Sequence, residues 1–348
     1  MLELKYIKRD LIFKFPAGTS RGIMLKKPSW FFVLKDDDHI GKISTGECGL
    51  LPKLSFDDKP GYEKKLKEII DRVNLYQSLD IDLNIKDFPS IRFGIEMLKK
   101  DYLSKEEKIL FDSEFTRGNL SIPINGLIWM GEKQFMFEQV KEKINDGWKC
   151  IKMKIGAIDF EEELSLLKYI RKQFSKNDIE LRVDANGAFT PANALEKLKI
   201  LSDYDLHSIE QPIKQGQILE MAKLCELSPL PVGLDEELIG INDEKQKKYL
   251  LESIRPQYII LKPGLTGGWK ASEEWIDIAK SLGIGYWVTS ALESNIGLNA
   301  IAQWTVTLGK DIVHGLGTGQ LYTNNFDSPL YVSKGFLSYD PDKKWETF

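Results

Sequence analysis

The sequence predicts a (β/α)8-type barrel preceded by a small α+β unit, and three observations predict it. From Ser121 onward, short apolar runs alternate with amphipathic helical patterns, the periodicity switching from 2 to 3.6 and back. Eight such runs fall in roughly 200 residues, which fits a closed parallel barrel better than an open sheet. The residues before Ser121 keep a different rhythm, strands first and then helices.

The elements follow in order. At 348 residues the chain exceeds what one core usually organises, so a barrel with an appended unit is expected. The first unit contains the β-rich runs LELKYIKRDLIFKF and SWFFVLKDDDHIGKISTGEC, then the helical patterns YEKKLKEIIDRVNLYQS and SIRFGIEMLKKDYL. The barrel strands read as IPINGLIW, CIKMKI, IELRVD, LHSIE, PVGLD, QYIILK, IGYWVT and DIVHGL. Helical patterns lie between them; Thr190-Pro191 opens one, since proline suits a first turn whose N–H has no partner. The weakest pattern is the fifth, around DEKQKKYLLES. After Leu321 the chain is too irregular for another βα unit and is expected to pack back on the first one. The expected boundaries are residues 1–120, 121–322 and 323–348.

Composition removes several classes of function. The 48 basic and 52 acidic residues give a net charge of −4 with the basic ones scattered, so no nucleic-acid footprint exists and a small-molecule partner is expected. No apolar run is long enough to span a membrane, and the N-terminus does not read as a signal segment. Cys48, Cys150 and Cys225 are far apart, which disfavours a disulfide framework or a structural zinc and fits a reducing cytoplasm.

In a parallel barrel the reactive groups sit where the strands end. Lys152 and Lys154 end the second strand run, Asp184 the third, Glu210 the fourth, Asp235 the fifth and Lys262 the sixth. Any one of these alone is ordinary loop chemistry; Lys154, Asp184, Glu210, Asp235 and Lys262, in register with the βα repeat, are not. Three carboxylates on adjacent strands repel unless a cation joins them, and an oxygen-only set favours a hard ion such as Mg²⁺, with Mn²⁺ as a substitute. No histidine joins the group, which disfavours zinc. Lysines on both sides of a metal suit proton removal alpha to a carboxylate.

Other features carry two readings. Gly264-Leu265-Thr266-Gly267-Gly268 is either an anion cradle or a turn, and Gly315-Leu316-Gly317-Thr318-Gly319 either a bare-backbone ligand contact or a flexible loop. Ser290, Glu293, Ser294 and Asn295 suit helix capping as well as substrate contact. Thr19-Ser20-Arg21-Gly22 reads as a lid loop, with Arg21, Asn186, Ser290 and Gly317 as candidate substrate contacts. Arg182 is expected to point into the same mouth as Asp184, two positions away on one strand. His207, His314 and the tryptophans Trp129, Trp269, Trp287 and Trp304 read as packing.

IKMKIG, RVDANGAF, IEQP, LDEEL and LKPGLTGG together resemble the enolase superfamily in its muconate cycloisomerase-like branch, across essentially the whole chain. IPINGLIWMG, GECGLLPKLS, TSALESNIGLNAIAQ and HGLGTGQLY are most similar to that branch's dehydratases of menaquinone synthesis. The resemblance implies a modified barrel under an α+β capping domain, with Asp184, Glu210 and Asp235 binding Mg²⁺. It implies that Lys154 takes the alpha proton of a succinyl-hydroxycyclohexadiene carboxylate and returns it to the departing hydroxyl. Lys262 would hold the enediolate by charge and Lys152 would assist. The branch also contains N-acylamino acid racemases and dipeptide epimerases, in which Lys154 and Lys262 would act as two bases. The epimerases call for an Asp-x-Asp where this chain has Gly317-Thr318-Gly319. A catalytically dead barrel retained for binding is the remaining alternative, and the intact carboxylates and lysines speak against it.

Overall fold

The computed structural model describes residues 1–19, 22–39, 41–309 and 312–346. Strands β1 (Leu2–Thr19) and β2 (Gly22–Asp36) form a long antiparallel hairpin, and β3 (Ile43–Cys48) pairs with the far side of β2. The run Trp30 to Leu34 is apolar without alternation because both faces of the sheet are covered. Trp30, Phe32 and Leu34 pack on helices α1 (Tyr62–Tyr76) and α2 (Pro89–Leu103), whereas Phe31 faces the barrel and tail residues Ile296, Phe326 and Trp345.

The approach of α2 to β3 is close. A Cβ on Gly46 would stand 2.0 Å from the Gly94 carbonyl oxygen and 2.9 Å from the Leu98 nitrogen, both backbone atoms. Gly46→Ala is expected to lower stability by about 3 kcal/mol, read by urea unfolding, because the backbone has nowhere to move. An unchanged midpoint would mean that α2 is free to slide.

The chain then enters the barrel through β4 (Ile122–Pro123) and alternates β5 (Gly126–Ile128), α3 (Lys133–Asn145), β6 (Cys150–Lys154), α4 (Phe160–Gln173), β7 (Glu180–Asp184) and α5 (Pro191–Ser202). It continues with β8 (Ser208–Glu210), α6 (Ile218–Leu227), β9 (Val232–Leu234), α7 (Glu244–Ile254), β10 (Tyr258–Leu261), α8 (Pro263–Thr266), α9 (Gly268–Ser281), β11 (Gly285–Val288) and α10 (Asn295–Thr307). Seven strands, β5 to β11, form one parallel sheet in sequence order. The eighth run, DIVHGL, yields no named strand among the described residues. His314 and Gly315 close the ring by single bridges to Ile124 and Thr289. The architecture is therefore a modified (β/α)8-type barrel under a cap. The weak fifth pattern is a full helix, α7, with Asp243 accepting from the Lys245 and Gln246 nitrogens as its cap.

Residues after Leu321 divide their contacts. Strands β12 (Leu330–Ser333) and β13 (Phe336–Tyr339) form a hairpin that pairs with β4, at the entry to the barrel. The preceding stretch meets β1 instead. The β1–β2 register slips between Ile12 and Ala17, around Pro16, and there Phe13 bridges Tyr322 while the Lys14 nitrogen donates to the Leu321 carbonyl. No helix among the described residues is long and apolar enough to cross a membrane.

Candidate active site

Parallel pairing sets the strand ends side by side. Lys154 pairs with Asp184, and Asp184 with Glu210. Asp235 and Lys262 directly follow β9 and β10. With β7, β8 and β9 between β6 and β10, the lysines Lys154 and Lys262 stand on opposite walls of one mouth. All five line up where their spacing places them.

The ion pairs are short and buried. Lys152 Nζ donates to Glu210 Oε2 at 2.5 Å and lies 3.0 Å from Asp184 Oδ2. Lys154 Nζ donates to the Asn186 amide oxygen at 2.7 Å and is 3.6 Å from Asp184 Oδ2. Lys262 pairs with Asp235. Asn186 in turn donates to Glu236 Oε1 at 3.0 Å, so it orients Lys154. Burial alone would lower the Lys152 and Lys262 ammoniums, yet the surrounding carboxylates outweigh it and hold both above the ordinary lysine range. Burial opposes the charge on Asp184 too, but Lys152, Lys154 and Lys262 hold its carboxyl well below the usual range. Glu210 goes the other way: burial raises it, and Asp184 and Asp235 add to the rise.

Whether these residues suit a metal is decided by their own chemistry. Among the described residues no ready-made three-ligand cluster exists, since the carboxylate oxygens turn toward lysines. The donors are nonetheless all oxygens on adjacent strands. Glu210 Oε1 is buried with no hydrogen-bond partner, and the Asp184 and Asp235 carboxylates crowd like charge around it. The set fits a hard cation once the side chains turn from ammonium to ion.

The mouth opens into a cavity of about 400 Å³ whose polar side includes Lys152, Lys154, Asp184, Asn186 and Lys262. Phe15, Leu51 and Leu54 of the cap and Trp129, Leu292 and Leu321 of the barrel and tail form an apolar wall. Ser290 and Gly317 also line it, with the Ser290 and Thr318 hydroxyls 2.6 Å apart. Sequence reasoning missed Phe15, Leu51 and Leu54: Phe15 falls where β1 slips its register against β2, and Leu51 and Leu54 lie in an irregular segment that carries no periodic signal. Trp129, read as packing, reaches the cavity as well. Arg21 lies outside the described residues.

Arg182 corrects an expectation. It points into the barrel, but its guanidinium turns away from the mouth, donating to Glu180 at 2.7 Å and to the Val313 carbonyl at 3.0 Å, over the Trp287 ring. Side chains alternate along a strand, but Arg182 sits one full pleat deeper than Asp184 and its partners lie deeper still. His314 accepts from the Val288 nitrogen at 3.1 Å in the core, and His207 stacks on Tyr258, so both are packing residues. Ser294 and Asn295 are structural too, the first accepting from the Ile296 nitrogen and the second donating to the Phe326 carbonyl.

Glu293, beside the cavity loop, is fully buried, and burial pushes its carboxyl up to about 7, Lys27 opposing and Glu47 adding. A carboxyl raised in the folded state binds protons that the unfolded chain has already released, so its contribution is complete below the unfolded value of about 4.3 and lost as pH rises through 7. Glu293→Gln is therefore expected to gain on the wild type by roughly 2–3 kcal/mol between pH 5 and pH 8 in urea unfolding. His314, held down to about 3 by burial, acts oppositely but is common to both proteins and cancels. Parallel pH profiles would contradict this assignment.

The enolase C-terminal domain-like family matches residues 136–342. The o-succinylbenzoate synthase of Desulfotalea psychrophila is 49% identical, over 97% of this chain and 98% of its own length. The crystal structure of MenC from the same organism superposes with a TM-score of 0.85 at 46% identity, covering 97% of this chain and 99% of that one. A dipeptide epimerase from Enterococcus faecalis complexed with Mg and a dipeptide shares the fold at a TM-score of 0.81 and 18% identity, covering 97% of this chain and 96% of that one. With strand-end carboxylates flanked by lysines and a family match across most of the barrel, this chain belongs to the enolase C-terminal domain-like family.

Proposed function

We propose that this protein is an o-succinylbenzoate synthase, dehydrating 2-succinyl-6-hydroxy-2,4-cyclohexadiene-1-carboxylate to o-succinylbenzoate with Mg²⁺ held by Asp184, Glu210 and Asp235. The observation that carries this reading is the 49% identity extending over 97% of the chain, cap included. Residues 1–120 serve as the cap, 121–322 as the barrel and 323–348 as the returning segment.

Asp184, Glu210 and Asp235 would hold Mg²⁺, or Mn²⁺ as its substitute, and the bound ion would supply positive charge beside the substrate carboxylate. Lys154, held by the Asn186 amide, takes that proton on one face of the ring. The same ammonium then protonates the departing hydroxyl, so one group serves as base and then acid. Lys262, on the opposite wall, balances the enediolate charge and meets the ring as it becomes aromatic. Lys152 stays below them as a fixed ammonium between Asp184 and Glu210. The ring lies against Phe15, Leu54 and Trp129, which exclude water. Ser290 and the bare backbone at Gly317, which line the cavity, are our candidates for the succinyl tail. A small carboxylate in a cytoplasmic setting completes the reading.

Purified protein with Mg²⁺ is expected to convert the cyclohexadiene to product, followed as a new aromatic absorbance; no turnover at any enzyme concentration would sink the assignment. A second reading, an N-acylamino acid racemase, draws on Lys262 standing opposite Lys154, as two-base chemistry requires. Exchange of the alpha proton of N-acylamino acids in deuterated water separates the two.

A further inference from the structure

Every helix begins with N–H groups that have no partner inside the helix. For α10 the Asn295 nitrogen donates to Asn325 Oδ1 and the Ile296 nitrogen to the Ser294 hydroxyl, and the capping domain satisfies the remaining groups. Glu47, on β3 and wholly buried, accepts from the Ser294 nitrogen at 3.0 Å, the Ser294 hydroxyl at 2.6 Å and the Gly297 nitrogen at 3.0 Å. A capping box would use a carboxylate on the helix's own third residue, reaching back to the cap nitrogen. Here that residue is Gly297, where a Cβ would stand 2.8 Å from Glu47 Oε2. The carboxylate comes instead from 250 positions away. On its other side Glu47 accepts from the Ser29 hydroxyl at 3.0 Å, and Lys27 Nζ lies 3.8 Å off, also wholly buried.

The arrangement repeats one helix earlier. Glu96, on α2 of the cap, accepts from the Trp269 nitrogen at 2.6 Å in the first turn of α9. The glycine run Gly264 to Gly268 thus receives carboxylates of the protein itself, Glu293 beside Gly264 and Glu96 beside Gly268. α8 and then α9 follow Lys262, and α10 follows the loop that carries Ser290. The segment after Glu47 runs directly to Leu51 and Leu54 in the cavity wall, where Leu51 and Leu54 pack with Leu265, Ala291 and Leu292.

We infer that Glu47 is a positioning residue for the reaction, capping α10 across the domain boundary and so fixing the Ser290 loop and the Leu51–Leu54 wall against each other around the substrate. The inference rests on the enzymatic reading above but has a readout of its own.

Glutamine at this position keeps the shape but offers one acceptor oxygen and turns N–H groups toward other donors, leaving Lys27 short of a partner. Glu47→Gln is expected to raise KM about tenfold with kcat changed less than about threefold, the pattern of lost uniform binding. Its melting temperature falls as well. The double variant Lys27→Met/Glu47→Gln removes the stranded ammonium and is expected to recover the melting temperature while KM stays raised. KM returning together with stability would reduce Glu47 to a structural role and overturn the inference. Hydrogen exchange, independent of any substrate, is expected to quicken in residues 289–297 and 49–54 of both variants, with β6 to β8 unchanged; protection as in the wild type would likewise overturn it. Absence of turnover in the wild type would instead strike at the proposed reaction, leaving the exchange result to decide the positioning role.

Discussion

Lys154→Ala is expected to lower turnover by roughly four orders of magnitude, because one side chain is asked to act as base and then as acid. The same substitution is expected to leave the fold and melting temperature nearly unchanged. Lys154 sits in the cavity wall with one hydrogen bond, to Asn186, and Asp184 keeps its closer pair with Lys152. Rate measured by the aromatic product and stability measured by thermal unfolding must therefore separate. Activity above about one hundredth of wild type would remove Lys154 from the proposed role, since a positioned acid–base group contributes at least that factor.

Lys152→Met is expected to do the reverse, striking stability first. Lys152 Nζ bridges Asp184 and Glu210 at 3.0 and 2.5 Å with almost no exposure. Removing one partner of a buried ion pair costs about 3–5 kcal/mol because the other charge is left without compensation. In chelator the variant should unfold at markedly lower urea than the wild type. Added Mg²⁺ should then stabilise the variant more than the wild type, since the ion supplies the charge that the ammonium supplied. Equal unfolding midpoints in chelator would contradict the geometry. An equal response to Mg²⁺ would contradict the assignment of Asp184 and Glu210 as its ligands.

Much of this was legible in the sequence, for identifiable reasons. The reactive residues terminate apolar runs, and a parallel sheet brings strand ends to one level, so Lys154, Asp184, Glu210, Asp235 and Lys262 could be placed from their spacing. In the eighth run, DIVHGL, only His314 and Gly315 among the described residues bridge to neighbours, because the apolar character that marks a strand does not fix how far its pairing runs. The depth of Arg182 was hidden because alternation gives a side chain's face but not which end of a long side chain's reach it uses. The cap contributions were hidden for a different reason. Glu47 on β3 and Leu51 just after it meet residues more than 200 positions away, and no local pattern encodes so distant a partner. Glu47 in particular looks like one acidic residue in a strand until Gly297 is seen to lack a carboxylate of its own.

The slip in β1 around Pro16 has a consequence for the making of the protein. Where β1 leaves β2, the Thr323 nitrogen donates to the Ile12 carbonyl at 2.9 Å, a contact between positions 311 apart. Local βα pairs can form as they leave the ribosome, but contacts of such separation wait for the later partner. The nascent chain can therefore pair β1 with β2 along most of their length, while the slipped stretch around Phe13 and Lys14 gains its own partners only once residues 321–323 are synthesised. Birth order thus leaves the Phe15 side of the cavity wall waiting on a partner made near the end of the chain.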